Sequence, residues 1–134
     1  MPARFSAEQQ EQMLSVARTA LKHAHAPYSN FRVGATVLTD RGGLYQGCNV
    51  ENASYGMTIC AERAAICAAV AAEGSKMKIK AVAVATERDG PCAPCGACRQ
   101  VIFEFGPDAV VLFRGQSGPA QSAITKLLPE GFRL

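Results

Sequence analysis

Ala81-Val82-Ala83-Val84-Ala85-Thr86 is apolar at every position but the last, the pattern of a β-strand covered on both faces. Such a strand belongs near the centre of a sheet, and its flanks say what covers it. Upstream, Thr58 can cap a helix running to about Glu73, with Gly74 as its stop. Downstream, Arg88-Asp89-Gly90-Pro91 breaks the strand, Pro94 pre-sets a second helix to about Phe105, and Gly106-Pro107 ends it. Ala109 to Phe113 is then a further strand. Helix, strand, helix, strand in this order predicts an α/β fold with parallel strands in the centre of its sheet.

The remaining segments extend that unit in both directions. Ser6 with Gln9 forms a capping-box pattern, and Met13, Leu14, Ala17, Ala20, Leu21 and Ala24 recur on one face of a helix from about Ala7 to Lys22. His23 and His25 follow it and read as surface or capping histidines. Val33 to Thr39 and Leu44 to Val50 are β-rich and separated by Asp40-Arg41-Gly42-Gly43, which reads as a hairpin. After a loop from Arg114 to Pro119, Ala120 to Thr125 reads as a short strand and Lys126 to Leu128 as a turn of helix. The 134 residues suit one domain, 1–134, without repeats or linkers.

Composition narrows the function. With 49% hydrophobic and 19% charged residues the chain is globular. A net charge of +3, no Trp and three Tyr fall short of the basic, aromatic surface of a nucleic-acid binder. Lys76, Lys78 and Lys80 read as a solvated lead-in to a strand. The N-terminal residues show no export signal, and Ala64 to Ala72 is too short to span a bilayer, so no membrane partner is expected. Six cysteines in such a chain point to a reducing, cytoplasmic setting, and to metal binding or catalysis before disulfides.

Two stretches carry the chemistry: Cys60-Ala61-Glu62-Arg63 and Pro94-Cys95-Gly96-Ala97-Cys98-Arg99. If both helices cross over between parallel strands, both begin at the carboxyl edge of the sheet, where α/β folds place ligands. Cys60 then meets Cys95 and Cys98 although 35 positions separate Cys60 from Cys95. Three thiolates on zinc leave the fourth tetrahedral position for a water. They also outweigh the ion's charge, and Arg63 and Arg99 beside them supply compensation. Glu62 can move protons beside the metal, although taken alone it reads better as a favourable first-turn charge. Cys48 and Cys67 read as small buried hydrophobes. Cys92 leaves alternatives open: with the other three it could close a structural Cys₄ zinc site, or begin an iron–sulfur motif that lacks its final cysteine, since Ile102 stands there.

Cys-Ala-Glu followed by Pro-Cys-Gly-Ala-Cys-Arg-Gln resembles the zinc-dependent deaminases. Ala26-Pro27-Tyr28-Ser29-Asn30-Phe31, Gly47 to Gly56 and Leu127 to Phe132 narrow the resemblance to the small cytidine deaminases, over nearly the whole chain. It implies a three-layer α/β/α fold with a mixed sheet of about five strands, a homotetramer, and hydrolysis of cytidine and 2′-deoxycytidine to the uridines with release of ammonia, a pyrimidine-salvage reaction. It further implies Cys60, Cys95 and Cys98 as zinc ligands and Glu62 as proton shuttle. Asn49 and Glu51 are implied at the ribose hydroxyls, Phe31 and Ala61 at the pyrimidine, and Tyr55 and Phe132 in a neighbouring subunit's site. Ala93 and Arg32 depart from the usual residues. A deaminase of another small molecule such as blasticidin S, or a non-enzymatic zinc module, is the alternative.

Overall fold

The computed structural model describes residues 6–134; the expectation about a leader falls partly on residues 1–5, outside the described residues. The elements follow in the order α1 (Ala7–Leu21), β1 (Val33–Thr39), β2 (Leu44–Cys48), a 3₁₀ turn (Tyr55–Met57), α2 (Ala61–Glu73), β3 (Ile79–Thr86), α3 (Gly96–Phe105), β4 (Val110–Gly115), β5 (Gly118–Ala123) and α4 (Ile124–Leu127). The five strands form one mixed sheet in the order β2-β1-β3-β4-β5. β3 is its middle strand, as its unbroken apolar run requires.

Side-chain alternation along β3 sorts the two faces. Ala81 and Ala83 turn toward α1 with Met13, Leu38 and Leu112. Val82 and Val84 turn the other way, into a larger core with Ala65 and Ile66 of α2, Ile102 of α3 and Ile124 of α4. Small residues face α1 because that helix lies close. A Cβ on Gly34 of β1 would strike the Ala17 carbonyl oxygen, and Thr36 Oγ1 donates to the Met13 carbonyl at 2.8 Å. On the opposite face Gly47 of β2 lets α2 approach equally closely, since a Cβ there would stand 2.5 Å from the Ala61 oxygen. The capping box of α1 is present in both directions between Ser6 and Gln9.

The topology refines the expected crossovers. β3 and β4 are the sheet's parallel pair, joined through α3; β1 pairs antiparallel with both β2 and β3. The α2 crossover therefore passes over β1 instead of joining neighbours. β2 and β3 still run in the same direction, so α2 and α3 begin at one edge. Several boundaries also move. Thr58 closes the 3₁₀ turn and does not cap α2; reciprocal backbone bonds between Val50 and Ile59, both 2.9 Å, keep the chain extended up to Cys60, which becomes the N-cap. β2 ends at Cys48, and Val50 makes only isolated bridges, to His25 and Ile59. Pro94 lies just outside α3, capped by Cys95. The loop expected from Arg114 to Pro119 is a hairpin in which Gly115 pairs with Gly118. Pro119 conceals this in the sequence, yet is tolerated on an edge strand.

Candidate metal centre

Cys60 and Cys95 are the N-caps of α2 and α3, and Cys98 is the third residue of α3. Helix N-termini present unpaired N–H groups and partial positive charge, which favours thiolates there. The three sulfurs lie within 4.8 Å of one another, with Cys60 Sγ 3.8 Å from Cys95 Sγ. Cys98 is buried, Cys60 half-buried and Cys95 exposed, so the cluster has a closed side and an open side.

The charges around the cluster fit a dication held by thiolates. Arg63 reaches back one helical turn and donates from Nη2 to Cys60 Sγ at 3.3 Å, while its buried Nε has no partner among the described residues. The guanidinium thus meets sulfur instead of a carboxylate. Hydrogen bonding from Cys98 and Arg63 brings the Cys60 thiol down to about 5. Cys98 is pushed strongly up by its bond to that thiolate, by burial and by Glu62, because metal-free protein cannot stabilise a second negative sulfur. A divalent soft cation resolves that repulsion and releases the thiol protons. The residues present therefore fit zinc.

Glu62 stands at the second position of α2 and is only 5% exposed. Burial, followed by the charge on Cys60, raises its carboxyl above the ordinary range. A buried carboxylate with a raised pKa, beside a sulfur cluster that has an open side, is suited to acid–base work.

The other expected residues gather around one loop, 28–33. Asn49, 8% exposed, accepts from the Val33 N–H at 2.9 Å and donates to the Phe31 carbonyl at 2.8 Å. Glu51 Oε1 accepts from the backbone N–H groups of Tyr28 (2.9 Å) and Ser29 (3.1 Å), and Oε2 accepts from the Ser29 hydroxyl. These bonds, led by that of Ser29, hold Glu51 below the usual carboxylate range. Arg32, unexplained by sequence, pairs with Glu87 at 2.8 Å. Arg88, passed over there as part of a strand break, donates to the Asn30 carbonyl at 2.8 Å and stacks 4.9 Å from the Phe31 ring centroid. Nothing in a single sequence marks these long-range partners.

Four placements differ from expectation or qualify it. Arg99 directs its hydrogen bonds to the carbonyls of Pro94 (2.8 Å) and Leu127 (2.9 Å), tying the second thiol loop to the C-terminal segment and not to sulfur. Cys67 is exposed on α2, not buried, because its position turns away from the sheet. Cys92 lies close enough for Glu62 and Cys60 to raise its thiol, after burial, but outside the sulfur cluster, which removes the Cys₄ reading. Tyr55 and Phe132 are 74% and 66% exposed in their own chain.

The chain matches the sequence profile of the cytidine and deoxycytidylate deaminase zinc-binding region over residues 7–114. It is 44% identical to a cytidine deaminase of Sporosarcina psychrophila over 91% of this chain and 90% of that one. It is 46% identical to a probable cytidine deaminase of Dictyostelium discoideum over 91% and 82%. Among solved structures it resembles the cytidine deaminase of Burkholderia pseudomallei, with a TM-score of 0.81 and 44% identity over 91% of this chain and 98% of that one.

Proposed function

The chain belongs to the cytidine and deoxycytidylate deaminase zinc-binding family, and from that premise we propose how its residues divide the work. The chain is a zinc-dependent hydrolytic deaminase that converts cytidine to uridine with release of ammonia; 2′-deoxycytidine is proposed as its second substrate. The observation that carries the assignment of roles is the buried Glu62, its carboxyl raised by burial, two residues from Cys60 of a three-sulfur cluster. Zinc, when held by Cys60, Cys95 and Cys98, supplies a Lewis acid that acidifies water.

Glu62 takes a proton from the attacking water and places it on N3 of the pyrimidine as oxygen adds to C4. It then carries the remaining hydroxyl proton to the amino group, the C4–N bond breaks and ammonia leaves. One carboxylate suffices because each transfer returns it to its starting state. Arg63 offsets the excess negative charge of the thiolates. Ala61 opens α2, where a first-turn N–H has no intrahelical partner and can hold the ring.

Asn49 and Glu51 retain capacity for the sugar. One N–H of Asn49 Nδ2 remains after its bond to Phe31, and a carboxylate offers about four lone-pair sites, more than the three bonds Glu51 accepts from residues 28 and 29. Phe31 stacks on the pyrimidine. Tyr55 and Phe132, exposed with Met57 and Ile59, support a homotetramer in which neighbouring chains complete each site. Six free thiols support a cytoplasmic setting, and deamination of free nucleosides supports pyrimidine salvage. Among the described residues no helix is long and apolar enough to cross a membrane.

The test is ammonia release from cytidine, deoxycytidine, cytosine, deoxycytidylate, blasticidin S and single-stranded DNA. Release from the two nucleosides alone is expected. Release from blasticidin S or DNA, with neither nucleoside turned over, would replace the nucleoside reading.

A further inference from the structure

The loop 28–33 is held by side chains from two strand ends. Asn49 and Glu51, beyond β2, bind its backbone at residues 28, 29, 31 and 33. The polar groups left over are met from the end of β3. Glu87 accepts from the Arg32 N–H at 3.1 Å and from Arg32 Nε at 2.9 Å. The Arg88 guanidinium donates to the carbonyls of Asn30 at 2.8 Å and Ser29 at 3.3 Å. Asn30 has φ +55°, in the left-handed region, so the chain reverses immediately before Phe31 and its carbonyl needs a fixed donor. The same guanidinium lies over the Phe31 ring, 4.9 Å from the centroid, within the range of a cation–π contact.

We propose that Arg88 is a positioning residue for the nucleoside: it covers one face of Phe31, fixes the ring through the Ser29 and Asn30 carbonyls that precede it, and leaves the opposite face to the pyrimidine. This rests on the reading of Phe31 as the stacking residue. A planar fork is required, because one guanidinium can donate to two carbonyls and stack at once, whereas an ammonium cannot. The hydrogen bonds of Arg88 go to the Ser29 and Asn30 carbonyls, and none among the described residues goes to the sulfurs or Glu62, so its influence falls on binding and not on proton transfer. The Glu87–Arg32 pair steadies the far side of the loop.

The experiment measures kcat and KM for cytidine, with zinc content, in Arg88→Ala, Arg88→Lys, Phe31→Leu and the double variant Phe31→Leu/Arg88→Ala. Arg88→Ala is expected to raise KM roughly 3- to 30-fold, the range of a cation–π contact, with kcat within about twofold and zinc retained, the pattern of lost uniform binding. Arg88→Lys recovers part of the loss through its charge. Phe31→Leu raises KM, and adding Arg88→Ala to it costs little more, because the two act through one contact. Unchanged KM in Arg88→Ala alongside raised KM in Phe31→Leu overturns the positioning role alone. Unchanged KM in Phe31→Leu overturns the stacking reading as well. A fall in kcat or zinc content in Arg88→Ala, with KM unaltered, makes the contact merely structural and also overturns the proposal.

Discussion

Glu62 holds a position where a carboxylate ordinarily enjoys the helix dipole and solvent together, yet it is 95% withdrawn from water. Its proposed role predicts that Glu62→Ala loses roughly 10²–10⁴-fold in kcat with zinc still bound, checked by steady-state kinetics beside metal analysis. Burial also has a stability consequence. A carboxyl whose folded-state pKa is raised above 4.5 makes the folded protein bind more protons than the unfolded one between those values, so stability falls as pH rises through that window. Metal-free Glu62→Gln should therefore melt higher than metal-free wild type at neutral pH, and the difference should close as the pH falls below 4.5. Thermal melts of the two proteins across acid pH check it. Cys60→Ala removes a proposed ligand and the partner of Arg63 together, and is expected to lose both zinc and activity; a zinc-loaded, active variant would refute the ligand set. The residue types at the metal centre were legible because their chemistry is rare and closely spaced. The Leu127 partner of Arg99 and the partners of Arg88 were not, since these carbonyls lie at least 28 positions away.

At the scale of elements, the metal centre depends on how closely α2 lies on β2. Gly47 sits under the first turns of that helix, and a Cβ there would collide with the Ala61 carbonyl oxygen and the Ala65 N–H. Gly47→Ala should cost about 1–3 kcal/mol of stability, typical of overpacking, and lower kcat as well, because the turn it displaces carries Glu62. Gly34→Ala makes the same kind of collision with α1, on the opposite face of the sheet. It should destabilise comparably while leaving kcat per folded molecule near wild type. Denaturation curves and single-temperature kinetics on both variants distinguish the two. Capping and periodicity made α1 readable almost to the residue. The start of α2 was misplaced because the Val50–Ile59 pairing, a tertiary contact, overrides the capping preference of Thr58. The final hairpin was missed because its two-residue turn, Gln116-Ser117, lacks the asparagine–glycine signal that usually marks one.

For the whole molecule, the prediction concerns assembly. Tyr55 and Phe132 lie at the surface, and Tyr55 touches only the edge of Tyr28, ring centroids 5.9 Å apart, among aromatic rings of its own chain. If these residues complete a neighbour's site, Glu62→Ala and Phe132→Ala proteins, each weakly active alone, should recover activity when unfolded together and refolded as mixed oligomers. Sedimentation should show a tetramer; no recovery in a mixed tetramer would place Phe132 outside the neighbour's site. Alternating helices and strands around Ala81–Thr86 determined by themselves the α/β class and the central strand, because periodicity is a local property of the chain; the edge at which Cys60, Cys95 and Cys98 meet followed only on the condition that the strands before α2 and α3 run the same way, which the pairing through β1 meets. Only the tertiary structure decided that the α2 crossover passes over β1, that Glu62 is buried with its carboxyl raised, and that Glu87 and Arg88 share the loop 28–33 with Asn49 and Glu51. Each of these depends on what lies beside a residue in space, and a position's neighbours along the chain do not record it.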